Sequence, residues 1–110
     1  MELLNASRVL TVLSGWVGQP VWVHVEVNPG AYWRGAAGTL RTVHIKGDGP
    51  FRMYVEVADG LIQVDDLTHM DLADGLVVVI GFGDSDRLAR TLEISTQPLA
   101  LQTPENVVDF

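Results

Sequence analysis

The sequence predicts a mainly β domain, a distorted antiparallel sandwich or partly open barrel of about six strands with one N-terminal helix packed on it. Three observations lead there. Strict apolar alternation begins after Pro20, glycine turns recur along the chain, and only the first segment repeats at helical period. A parallel α/β arrangement is excluded because no further helices exist to supply its crossovers.

From Asn5 to Val17, Ala6, Val9, Leu10, Leu13, Trp16 and Val17 fall at three- and four-residue steps. Asn5 is placed to cap the first turn and Gly18 to take the left-handed position after the last, which predicts a helix over about 5–17. Gly15 and the β-branched Val9, Thr11 and Val12 weaken it, so its stability must come from packing one face on a sheet. Asn5-Ala6-Ser7 also fits the glycosylation acceptor pattern, which has meaning only in a secreted chain.

After Pro20, Val21, Val23, Val25 and Val27 alternate with Trp22, His24 and Glu26, giving a strand with one valine face that ends at the Asn28-Pro29-Gly30 turn. Ala31 to Thr39 carries Gly35 and Gly38 around two alanines and reads as a loop or irregular edge. Next, Gly47-Asp48-Gly49-Pro50 and Asp59-Gly60 divide three antiparallel strands. Burial selects a five-residue loop for the first hairpin, pairing Val43 with Val55, Ile45 with Met53, His44 with Tyr54 and Lys46 with Arg52. A turn centred on Asp59-Gly60 pairs Val57 with Ile62, Val55 with Val64 and Tyr54 with Asp65. Val43, Ile45, Met53, Val55, Val57, Ile62 and Val64 then share a buried face. Leu76 to Phe82 is apolar enough for a strand covered on both sides, and Gly83-Asp84-Ser85-Asp86 turns it into Leu88 to Ser95. Residues 1–98 are read as a single domain. Residues 99–110 form a C-terminal tail that is interrupted at Pro104 and ends in Val107, Val108 and Phe110.

Composition narrows the function. The 110 residues are 47% hydrophobic and 19% charged, enough apolar material for one core. The formal charge of -7 opposes phosphate backbones and anionic membranes, so neither nucleic acid nor a membrane is an expected partner. Cysteine is absent, which removes disulfides, thiolate metal cages and cysteine nucleophiles. Met1 to Ser7 lacks the basic start and apolar run of a signal peptide, and Leu76 to Ile80 is far too short to span a bilayer, so a cytoplasmic location is expected.

Several stretches together carry a resemblance. Pro20-Val21-Trp22-Val23-His24-Val25-Glu26, Gly30-Ala31-Tyr32, Lys46-Gly47-Asp48-Gly49-Pro50-Phe51-Arg52 and Leu92-Glu93-Ile94-Ser95 before Pro98 resemble the YojF-like family of small uncharacterised bacterial proteins. The likeness runs from the helix to about Pro98, and its most specific element is the Lys-Gly-x-Gly-Pro-aromatic-Arg run. It implies a mainly β distorted sandwich or barrel, a cytoplasmic setting and a gene neighbourhood shared with a deacetylase of bacillithiol synthesis. No catalytic residues are established for that family, so none carry over. This chain is shorter between Tyr32 and His44 and has its own tail after Pro98.

Three constellations could carry chemistry. The expected register aligns His44, Tyr54 and Asp65 across three strands at ~5 Å spacing, where they form either a solvated polar row or a proton-shuttling, ligand-orienting set. It also sets Lys46 opposite Arg52, like charges that call for a carboxylate or anion between them unless they splay into water. His24 and Glu26 share a face that His44 or His69 would have to complete as a metal site, but no close metal-ligand spacing occurs, and no metal or other cofactor is expected. Asp84-Ser85-Asp86 lacks the remaining ligands of a calcium loop and reads as a tight acidic turn. No Gly-x-Ser-x-Gly elbow is present.

Between Met53 and Asp86 lie eight acidic residues and no Lys or Arg, while Arg34, Arg41, Lys46 and Arg52 come just before. Such polarity suits solvated faces, association between copies or a basic partner. Trp22, outward beside His24 and Glu26, is expected at an interface, which favours a homodimer or other homo-oligomer. The sequence therefore points to a non-catalytic accessory or interaction protein. Through the resemblance, that role would be associated with bacillithiol metabolism and with a thiol-pathway deacetylase as partner. The alternative is a small enzyme or small-anion-binding protein using His44, Tyr54, Asp65, Lys46 and Arg52.

Overall fold

A computed structural model describes residues 1–101. Eight antiparallel strands make one open sheet, with a single helix packed against it. The elements are β1 (Glu2–Leu3), α1 (Ala6–Ser14), β2 (Pro20–Val27), β3 (Ala31–Lys46), β4 (Phe51–Val57), β5 (Gly60–Leu67), β6 (His69–Ala73), β7 (Leu76–Phe82) and β8 (Leu88–Ser95). Their order in the sheet is β1-β6-β7-β8-β2-β3-β4-β5, so β1 and β5 are its edges. The mainly β architecture is as expected, and the sheet does not close into a barrel. Residues 102–110, most of the expected tail, lie outside the described part.

Asn5 caps α1 as its position predicts, its side-chain oxygen accepting the Arg8 amide at 3.1 Å. The helix stops at Ser14 rather than near Val17. Gly15 takes over the capping position, and after two further turn residues Gly18 donates its amide to the Leu40 carbonyl at 2.9 Å. Val9 and Leu13, one turn apart, are fully buried against β3 and β7, which supplies the packing this weak helix needs.

The segment expected to be a loop is instead the first half of β3, a strand of 16 residues. It pairs with β2 from Ala31 opposite Val27 to Thr39 opposite Pro20. Its glycines have structural reasons. At Gly35 a Cβ would stand 3.1 Å from the Trp33 ring, so the missing side chain lets the indole lie along the strand. Gly38, at φ +92, sits beside a bulge in the β2 pairing. Beyond the bulge β3 leaves β2 and takes β4 as its partner, so one strand serves both halves of the sheet.

The β3–β4 register is the one burial selected, with Val43 opposite Val55, His44 opposite Tyr54, Ile45 opposite Met53 and Lys46 opposite Arg52. The next hairpin is two residues tighter than expected, pairing Val57 with Gly60 and Val55 with Ile62 around Ala58-Asp59. Ala58 donates its amide to the Thr39 carbonyl at 3.0 Å, which ties the turn to the bend of β3. Because side chains alternate with period two, this slip leaves the faces intact. Met53, Val55, Val57 and Val64 are buried, while Val43, Ile45 and Ile62 pack half-buried against them.

The sheet curls so that β5 packs on β7 and β8. At that crossing a Cβ on Gly81 would collide with the carbonyl of Asp66, so the backbones meet only because Gly81 has no side chain. Val23, Leu92, Ile94, Val77 and Val79 form the enclosed apolar face beneath.

Candidate functional site

The outer face of β2 holds a polar cluster that its alternation predicted only in part. His24 is 4% exposed and both of its ring nitrogens are engaged. Arg34, opposite it on β3, donates from Nε to Nδ1 at 3.1 Å, so Nδ1 must accept. Nε2 therefore carries the ring proton and faces Glu26 Oε1 at 3.2 Å. Asn28 donates to the second Glu26 oxygen, and Tyr32 meets the His24 ring edge-on with centroids 4.9 Å apart. A general base needs a free lone pair, and this imidazole has none, so the arrangement holds strands together and supplies no base. Arg34 also donates from Nη1 to the Ala100 carbonyl at 2.8 Å, fastening the chain after β8 over this face.

Of the residues expected at an interface, His24 is buried within the chain, while Trp22, between Ser95 and Ala36 on the neighbouring strands, is partly exposed. Glu26 remains partly exposed, with both oxygens committed. His44 lies on the other half of β3 and His69 on β6, so neither joins His24 and Glu26. Among the described residues no group of three or more histidines and carboxylates has metal-holding geometry.

On the β3–β4–β5 half, His44 faces Tyr54 as expected, but the tighter hairpin puts Gln63 opposite Tyr54 and brings Asp65 to Arg52. Arg52 grips this carboxylate with two bonds, Nε to Oδ1 at 2.6 Å and Nη2 to Oδ2 at 3.2 Å, and reaches the Tyr54 hydroxyl at 3.4 Å. Gln63 adds a bond to Oδ1 at 3.0 Å. The Arg52 and Gln63 hydrogen bonds hold the Asp65 carboxyl below the usual aspartate range, and Asp65 in turn raises the Arg52 guanidinium. Lys46 turns away over the Tyr54 ring, with Nζ 5.9 Å from its centroid. Arg52 thus takes its carboxylate from within the chain, and Lys46 splays away from it. A hollow of about 290 Å³ beside this turn is lined by Lys46, Arg52, Asp65 and Asp66 among others, two charges of each sign. It has no net attraction for an anion.

Two of the serines bond to the backbone. Ser95 Oγ donates to the Gln97 carbonyl at 2.8 Å and accepts the Gln97 amide at 3.0 Å, and Ser14 Oγ donates to the Leu10 carbonyl at 2.6 Å.

What stands open is apolar. Trp33 is 47% exposed and Leu61 64% exposed. Together with Ala36, Ala37, Val57 and Ile62 they line a hollow of about 240 Å³ where the first half of β3 meets the β4–β5 hairpin. Beside it runs the outer edge of β5, with no strand partner among the described residues. The sequence marks the Tyr32-Trp33 pair as a candidate platform or interface, but not the hollow, because these residues lie in the segment read as a loop. The usable signal was the Tyr32-Trp33-Arg34 run directly after a turn, which continues the β2 alternation in reverse.

Comparison with known proteins places this architecture. The chain is 26% identical to the "Uncharacterized protein YojF" of Bacillus subtilis (strain 168), over 92% of this chain and 100% of the relative. The crystal structure of Bacillus subtilis YojF superimposes with a TM-score of 0.80 at 27% identity, covering 91% of this chain and 97% of that one. A family model described as "Protein of unknown function (DUF1806)" matches residues 28–99, from the turn after β2 through β8. By that match the chain belongs to the DUF1806 family of proteins of unknown function.

Proposed function

We infer that this protein is a non-catalytic accessory protein that works by contacting another protein. The observation that carries the reading is the exposure of Trp33 and Leu61 around a largely apolar hollow. Aromatic side chains left half in water are the usual anchors of protein contacts. The alternative, a small enzyme or small-anion-binding protein using His44, Tyr54, Asp65, Lys46 and Arg52, would have to work with Asp65 already gripped by Arg52 and with balanced charge around Lys46 and Arg52.

The partner and setting rest on the resemblance. A thiol-pathway deacetylase, associated with bacillithiol synthesis in the cytoplasm, is the first partner to test. Among the described residues no helix is long and apolar enough to cross a membrane. Self-association into a homodimer is the competing form of the same reading, and the charge of -7 on each copy works against it at low salt.

The test is affinity capture of the full chain from its native cells, followed by reconstitution of the captured protein with this one from purified components. A defined complex, together with no turnover of thiol-precursor amides by this chain alone, is the expected result. Turnover by the chain alone would overturn the accessory reading.

A further inference from the structure

We propose that the outer edge of β5 receives an extended, basic segment of a partner protein as a ninth strand, with an apolar side chain of that segment seated in the Trp33–Ile62 hollow. The proposal rests on the accessory reading above and names its surface.

Edge strands are normally guarded, because their unpaired amides and carbonyls template any passing strand; lysine, proline, bulges or very short edges are the common guards. The β1 edge has only two residues and is guarded by its brevity. The β5 edge is not. From Gly60 to Val64 it reads Gly-Leu-Ile-Gln-Val, without a charge or a proline. Its two acidic residues come later, where Asp65 is held by Arg52 and Asp66 lies against Gly81 with Arg90 nearby at 3.8 Å. The far end of β5 is therefore tucked against the other half of the sheet, and the near end is left open beside the hollow.

Charge decides which strand fits. Glu56 and Asp59, both exposed, flank this edge, and no lysine or arginine occurs from Met53 to Asp86. A second copy would bring the same acidic surface to its twin, whereas a segment with basic side chains on one face complements it. Alternation sets the pattern of the segment. Residues level with Ile62 and Val64 continue the apolar face, and residues level with Leu61 and Gln63 lie on the face that carries Glu56. Main-chain bonds then supply affinity and the hollow supplies selectivity, as in other strand-addition complexes.

The full-length chain is titrated with a synthetic peptide of about eight residues alternating valine and lysine, with the valine–glutamate peptide and with the valine–lysine peptide N-methylated at alternate amides. The expected result is binding by the lysine peptide at least about tenfold tighter than by the glutamate peptide. N-methylation should abolish it, and amide-exchange protection should appear at residues 60–64. Leu61→Lys, at a position exposed enough to spare the fold, should weaken binding about tenfold. Equal binding of the two charged peptides, or protection elsewhere than at residues 60–64, would overturn the proposal. So would a free chain that is already a dimer by light scattering and becomes monomeric in Leu61→Lys. Capture of a native partner that persists undiminished in Leu61→Lys would retire this surface while leaving the accessory reading standing.

Discussion

Arg34 performs two tasks from one side chain, donating to buried His24 and to the Ala100 carbonyl. Arg34→Ala leaves His24 Nδ1 without its donor in a site shielded from water, and a buried acceptor that loses its partner costs about 1–3 kcal/mol. A fall in denaturation midpoint at unchanged slope is the expected outcome; an unchanged midpoint would mean that water serves Nδ1 equally well. Asp65 gives a different signature. Its folded pKa lies below the ordinary 3.8, so its contribution to stability is present above the unfolded value and is lost as pH falls through the folded one. Wild type should therefore exceed Asp65→Asn in melting temperature at pH 6, and the gap should close as pH drops below about 3.8. The pair is exposed, so added salt should narrow the gap as well. Residue-level reading of the sequence anticipates that Lys46 and Arg52 face one another, with either a carboxylate or anion between them or the two side chains splayed into water. It could not name Asp65, because that assignment hung on a hairpin register that side-chain alternation does not fix.

At the scale of elements, face and register separate. Burial distinguishes a one-residue slip, which would turn Val55 and Val57 into water, but is blind to a two-residue slip, which returns the same side chains to the same face. Hence the face of β4 and β5 was legible in the sequence, whereas the pairing of Val55 with Ile62 goes with a turn tied by a hydrogen bond from Ala58 to Thr39 in another strand. The first half of β3 was hidden for a related reason. Gly35 and Gly38 look like loop residues, yet one makes room for the Trp33 indole and the other takes a positive φ beside a bulge. Neither neighbour is visible locally. β1 and β6, only two and five residues long, fell below the length at which alternation is readable. The face assignment itself is testable. Val55→Asp places a carboxylate at a fully buried site and should cost about 3 kcal/mol or more, or prevent folding, whereas Glu56→Gln next to it should stay within about 0.5 kcal/mol. Circular dichroism of both variants through a urea titration checks the contrast; equal effects would contradict the assigned face.

For the molecule as a whole, the sheet order explains where contact is possible. The central strands β2, β7 and β8 are paired on both sides, and β1 is too short to invite a partner. Among the described residues, β5 alone combines length, an unguarded stretch and an apolar hollow beside it. The most direct measurement is residue-resolved amide hydrogen exchange on the full-length chain, free in solution at low concentration. Slow exchange throughout β2, β7 and β8, with fast exchange at those amides of Gly60–Val64 that point away from β4, is the predicted result. Protection of these outward amides as strong as that of β2 would show that the edge is already sealed in the free protein, and would contradict the account.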